Sequence, residues 1–361
     1  RFTEPAGFAV AGTAHLNGHL RAGGATPLAA TLTGRLETAS WPEPALAALL
    51  GADVALAGNL TLGADGGAHL TELLLEGAGA TARGGVRREA AGGLDGNVTL
   101  SVPELAPLGD AAGVALAGDA RLDLGVSGSV DDPRATLNLA AEDAAVAATP
   151  LGTLSADASL SNLADAPRVE LTARAGATPA GPIAVSTTLT GADPGARLSG
   201  TRVEADGITA TSETLAVDLD SGGLEGTVTA AIDSFAPVAD RFGLDARGSG
   251  TLTATLTPGS QDLTLDGDLR GLALPAQDVR AERVRLDADF TEVAADPSGE
   301  ARLTLEGAHS GPASLETARL TATGSPERAE ITLDATGDAF GPVELGAAAT
   351  LRRDGDTLAA T

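Results

Sequence analysis

The feature that most constrains this chain is a period-two alternation of aliphatic and polar residues, renewed along most of its length. In residues 120–128, Leu122, Leu124 and Val126 hold one phase while Arg121, Asp123 and Ser127 hold the other. Successive side chains of a strand point to opposite faces, so such a segment forms a strand with one dry and one wet side. Leu137 and Leu139, Leu252 and Leu256, Leu263 and Leu265, Leu286, and Leu303 and Leu305 occupy the dry phase of their own segments. Each run closes in Gly, Pro or Asp. The motifs DDPR (131–134), ADPGAR (192–197), ADPSGEAR (295–302) and GSPERAE (324–330) reuse one kind of turn. Asx chemistry and Pro pre-set such reversals, with Pro at the strand start where a ladder tolerates it. At roughly 10–12 residues per strand and turn, the chain holds on the order of 30 strands.

A second signal is an internal repeat. Residues 44–58 (PALAALLGADVALAG), 104–118 (ELAPLGDAAGVALAG) and 234–248 (SFAPVADRFGLDARG) align without gaps, and each runs straight into alternating strands. Leu46, Leu49 and Leu50, and likewise Leu105 and Leu108, have i, i+3, i+4 spacing, which predicts a short helix in each copy. The copies are unequally spaced, which favours long sheets punctuated by helices over a solenoid of fixed period. No composition break divides the chain, so residues 1–361 read as a single elongated β-rich segment with units starting near 44, 104 and 234. The expected fold is all-β, mainly antiparallel or mixed: a long curled sheet or a β-helix-like groove, with a few short helices.

Composition excludes several kinds of chemistry. The chain has 23 basic and 49 acidic residues, a net charge of −26, and only 2% aromatic residues. Nucleic-acid binding rests on cations that neutralise phosphates and on stacking aromatics, so no nucleic-acid partner is expected. With no Cys there is no thiol nucleophile, zinc–thiolate site or disulfide framework, a composition compatible with an oxidising compartment. No apolar run approaches the roughly 18 residues of a membrane-spanning helix. The chain starts at Arg1 and stops inside an alternating pattern, and is therefore expected to be an internal segment of a longer polypeptide.

Sites of chemistry are sparse. His15 and His19 have a spacing that a metal site could use, but the Asn-Gly between them reads as a turn and no third ligand is evident. Pairs such as Asp131–Asp132 and Glu142–Asp143 read as solvated turns. The segments GADGGAHL and GLDGNVTL lack the tandem period and ligand spacing of calcium loops. No G-x-S-x-G elbow and no phosphate-binding Gly loop ending in Lys occurs. The expectation is a non-enzyme without a cofactor or resident metal. What remains is the dry face, small and aliphatic without ring anchors, which suits a fluid acyl chain better than a precisely shaped ligand.

The helix-then-strand unit from 104 to 160 resembles the repeating unit of the TamB group of AsmA-like bacterial envelope proteins. The resemblance is carried by LAPL at 105–108, the GVALAG closure, the SGSVDDPR turn and the Leu-alternating strands. Residues 234–290 repeat these more loosely, with Phe235 and Pro237 in place of Leu105 and Pro107. The resemblance implies a periplasmic protein anchored to the inner membrane through a segment absent here, whose curled sheet bears a hydrophobic groove. It also implies phospholipid carriage between the two membranes, and outer-membrane protein assembly with a barrel partner of the insertase superfamily. The twelve dry-phase residues Leu122 through Leu305 named above would then line the groove. A β-helical autotransporter passenger or adhesin is the competing expectation, and it would lack the short Ala/Leu/Pro helices.

Overall fold

The computed structural model describes residues 11–22, 28–147, 149–162, 166–178, 181–192, 195–218, 223–241, 243, 245–257, 261–293, 297–311, 313–325, 327–338, 341–354 and 357–360. Twenty-two strands, three short α-helices and one 3-10 turn lie among them. The chain is all-β, and it forms two compact units, Arg1–Pro182 and Ile183–Thr361.

Unit one runs β1 (Ala11–Ala22), β2 (Leu28–Ser40), α1 (Pro44–Leu50), β3 (Val54–Leu62), β4 (Ala68–Glu76), β5 (Thr81–Arg88), β6 (Gly93–Val102), α2 (Ala106–Ala112), β7 (Leu116–Ser129), β8 (Pro133–Val146), β9 (Thr149–Ser161) and β10 (Arg168–Thr178). Each strand pairs antiparallel with its neighbour in sequence, from β1–β2 through β9–β10. Among the described residues no pairing closes this meander into a barrel. The hairpins are local: in the β3–β4 turn the Asp65 carboxylate accepts from the Gly67 N–H at 3.0 Å, and Pro133 opens β8.

Unit two runs from β11 (Gly181–Ala192), β12 (Gly195–Ala205), β13 (Ile208–Asp218), β14 (Leu224–Ile232), α3 (Ala236–Arg241), β15 (Arg247–Thr257) and β16 (Asp262–Leu274) to the 3-10 turn Pro275–Gln277. It continues with β17 (Val279–Thr291), β18 (Ser298–Ser310), β19 (Ala313–Gly324), β20 (Arg328–Asp338), β21 (Pro342–Asp354) and β22 (Thr357–Ala360). Its pairings from β11–β12 to β21–β22 are again antiparallel neighbours. Successive antiparallel hairpins decide for an open sheet over the coils of a β-helix.

The three repeat segments contain the three α-helices, which are shorter than the segments themselves. Pro lies in the first turn of α1 and α2, where its missing N–H costs nothing. Gly51 (φ 68°) and Gly113 (φ 71°) end them in the left-handed half of backbone space, where Gly is free of a Cβ penalty. The registers Leu36↔Val54, Thr81↔Ser101 and Val102↔Ala120 place α1, α2 and the β4–β5 turn at the same end of unit one. There the Ala78 and Gly79 N–H groups donate to the carbonyls of Leu50 (3.1 Å) and Leu49 (3.0 Å), satisfying the C-terminus of α1. Trp41, the single Trp, donates from Nε1 to the Gly51 carbonyl at 2.6 Å.

The strands reach 14 residues, longer than the alternation suggests, because they continue through bulges that break the phase. One row of irregularities crosses β16 to β19. Gly271 and Gly307 both have φ 59°, and the β19–β20 register shifts between Leu315 and Thr317. Beyond that row the phase resets, so Ala281 and Val284 join one cluster with Ala308, as do Leu269 and Leu272. Residues three apart would face opposite sides of an unbroken strand.

Candidate functional site

The registers convert the alternation into continuous aliphatic rows. In unit one, the rung Leu100–Leu122–Leu139–Ala156–Ala173 lies beside Val98–Leu124–Leu137–Ala158–Leu171 and Gly96–Val126–Ala135–Leu160–Val169. In unit two, Leu252–Gly267–Leu286–Leu303–Leu320–Leu333 lies beside Ala254–Leu265–Ala288–Ala301 and Leu256–Leu263–Phe290. Leu305 extends the same face, paired with Val284 and Ala318. Leu122, Leu124, Val126, Leu137 and Leu139 therefore share one face of unit one. Leu252, Leu256, Leu263, Leu265, Leu286, Leu303 and Leu305 share one face of unit two.

These faces are incompletely covered. Leu124 is 36% exposed, and the other eleven residues of that set are half-buried. Leu56 (37%) and Leu345 (51%) are exposed on the same faces. Among the described residues no large side chain is fully buried, and the buried aliphatic residues are Ala, Val and one Ile. Monomers rarely leave large contiguous aliphatic patches exposed, and such patches often belong to interaction surfaces. Burial in unit one concentrates at the helix end, at Val54, Ala80, Val102, Ala141 and Ala144.

The opposite faces are polar and tied by short-range pairs. Threonines face each other across strands, Thr227 with Thr255 at 3.0 Å and Thr317 with Thr336 at 3.1 Å. Arginines reach carboxylates two residues along the same strand, as in Arg168–Glu170 (3.1 Å) and Arg202–Glu204 (2.6 Å). Hydrogen bonds from Arg283 (2.5 and 2.8 Å), then Arg270 (3.3 Å), hold the Asp268 carboxyl down at about 2. The same contact raises Arg283. Asp123 is lowered first by Arg121 and then by the Thr99 hydroxyl. A recess of about 420 Å³ on this polar side is lined by Thr81, Arg83, Thr99, Ser101 and Arg121, a lining that offers nothing to an acyl chain.

His15 and His19 lie four residues apart on extended β1, roughly 13 Å along the strand. Among the described residues no three His, Asp or Glu side chains converge on a metal-sized site, and no helix is long and apolar enough to cross a membrane. Sequence reasoning passed over Arg88. Its register with Ala68 and Leu94 puts it in the dry phase of β5, beside Val86. The signal was present in the consecutive pair Arg87–Arg88, one residue of which must fall on each face. Compared with protein-family models, curated proteins and solved structures, the chain matches none.

Proposed function

We propose that this chain is a non-enzymatic lipid-conducting scaffold of the bacterial envelope, its aliphatic faces carrying phospholipid acyl chains. The observation that carries the reading is the set of mostly Leu, Val and Ala rows, largely half-exposed, running from strand to strand within each unit. Branched aliphatic side chains give a continuous apolar surface without shape-specific anchors, and acyl chains gain about 0.8 kcal/mol per buried CH₂ on such a surface. The resemblance to TamB extends the proposal to a periplasmic location, inner-membrane anchorage, transfer between the two membranes, and work with an outer-membrane barrel partner. The passenger reading draws less support, because a β-helical passenger needs parallel coils and every described pairing is antiparallel.

The test is photo-crosslinking in cells from Leu122 and Leu265, with Asp123 and Thr264 as neighbours of opposite phase. Phospholipid adducts at the two Leu positions and none at the neighbours are expected. Adducts from neither phase would overturn the proposal.

A further inference from the structure

One position breaks the chemistry of the aliphatic face in unit one. At the end remote from α1 and α2, the last rung reads Ala68–Arg88–Leu94–Gly128. Every other paired dry-phase position of β1 to β10 is uncharged. Arg88 is exposed and has no ion pair among the described residues. Its neighbour Arg87, in the opposite phase, is engaged by Glu89 (3.4 Å) and Asp95 (3.7 Å).

Charge separates the two ends as well. The segments 41–53 and 103–115 around the helices carry Glu43, Asp53, Glu104 and Asp110 and no arginine. At the other end, Arg87, Arg88 and Arg134 stand among Asp65, Glu89, Asp131 and Asp132. An anion approaching the face meets carboxylates and no arginine in the helix segments, and at the other end three arginines among four carboxylates, of which Arg88 alone among the three has no ion pair among the described residues.

We propose that Arg88 anchors the phosphate of a phospholipid whose acyl chains lie along the dry face of β5, across the aliphatic rows, with their methyl ends towards α1 and α2. This rests on the lipid reading above and adds an orientation and a headgroup contact to it. A guanidinium matches phosphate oxygens bidentately, and its methylene stem lies on apolar surface while the head stays wet. The dimensions agree: from Arg88 to Ala82 the dry face of β5 spans about 20 Å, against about 15 Å for the acyl region of one leaflet.

The test uses the 361-residue chain and two probes with the same acyl chain, lysophosphatidic acid and monoacylglycerol, with inorganic phosphate as a third. An exposed guanidinium contact predicts about fivefold tighter binding of the phosphate-bearing probe. Arg88→Gln should remove that preference and leave monoacylglycerol affinity unchanged, and Arg88→Lys should keep part of it. A nitroxide at the chain terminus should broaden the methyl signals of Val102 and Ala141 and spare Leu94. Retention of the preference in Arg88→Gln, or broadening at Leu94 alone, overturns the orientation while lipid binding stands. Inorganic phosphate binding as tightly as lysophosphatidic acid would mean a free-anion site and sinks the headgroup assignment. Failure of both amphiphiles to bind overturns the lipid reading itself, and this proposal with it.

Discussion

Placing a carboxylate on the aliphatic face distinguishes an open surface from a sealed core. Leu124 pairs with Val98 and Leu137 and is 36% exposed, whereas Val284 is 6% exposed within the Ala281–Ala308 cluster. Complete burial of a Leu side chain is worth about 1.5–3 kcal/mol. About two-thirds of that is at stake at Leu124, so its removal costs about 1–2 kcal/mol. The carboxylate of Leu124→Asp faces water and adds little. In Val284→Asp the charge enters a covered cluster, where the effective desolvation penalty is several kcal/mol. The expected costs are about 2 kcal/mol for Leu124→Asp and about 4 kcal/mol or more for Val284→Asp. Denaturant unfolding followed by circular dichroism measures both. Hydrogen exchange at the β7–β8 and β17–β18 amides shows whether each loss stays local. Equal costs at the two positions, or unfolding of the chain by Leu124→Asp, would refute the idea of an uncovered face.

Three further outcomes follow from specific contacts. A Cβ on Gly77 would sit 2.6 Å from Leu50 Cα and 2.7 Å from the Leu49 carbonyl. Gly77→Ala should therefore push α1 off its turn at a cost of about 1–3 kcal/mol, read as a change in Trp41 emission. Because Asp268 is ionised down to about 2 in the folded chain, its contribution is complete above the ordinary unfolded value near 4 and is lost as pH falls towards 2. In Arg283→Gln, carboxyl chemical shifts should report an Asp268 midpoint moved up towards that ordinary value, and stability should change less between pH 4 and 2. Gly271→Val should be destabilising by about 1 kcal/mol or more, since φ 59° disfavours a β-branched residue, and a lowered urea midpoint should show it.

The strand phase was legible because it depends on nothing but alternation. A side chain two residues from Leu122 must point the same way, and the register did bring Leu122 to Leu139 and Leu286 to Leu303. The helix starts were legible too, from Pro, aliphatic spacing and a closing Gly at Pro44–Leu50 and Ala106–Ala112. Strand lengths and phase resets were not. A bulge such as that at Gly271 and Gly307 is a cooperative feature of several adjacent strands, so no single segment announces it. Sequence therefore determined that a dry face exists and which residues hold it. Only the tertiary structure decided how far it is covered, with Leu124 36% exposed in unit one and Val284 6% exposed in unit two, because the same alternation serves a sealed core and an open surface equally well. Tertiary structure also decided that the helices gather at one end of unit one and Arg88 at the other, since strand direction and register, not local preference, bring distant residues to the same end.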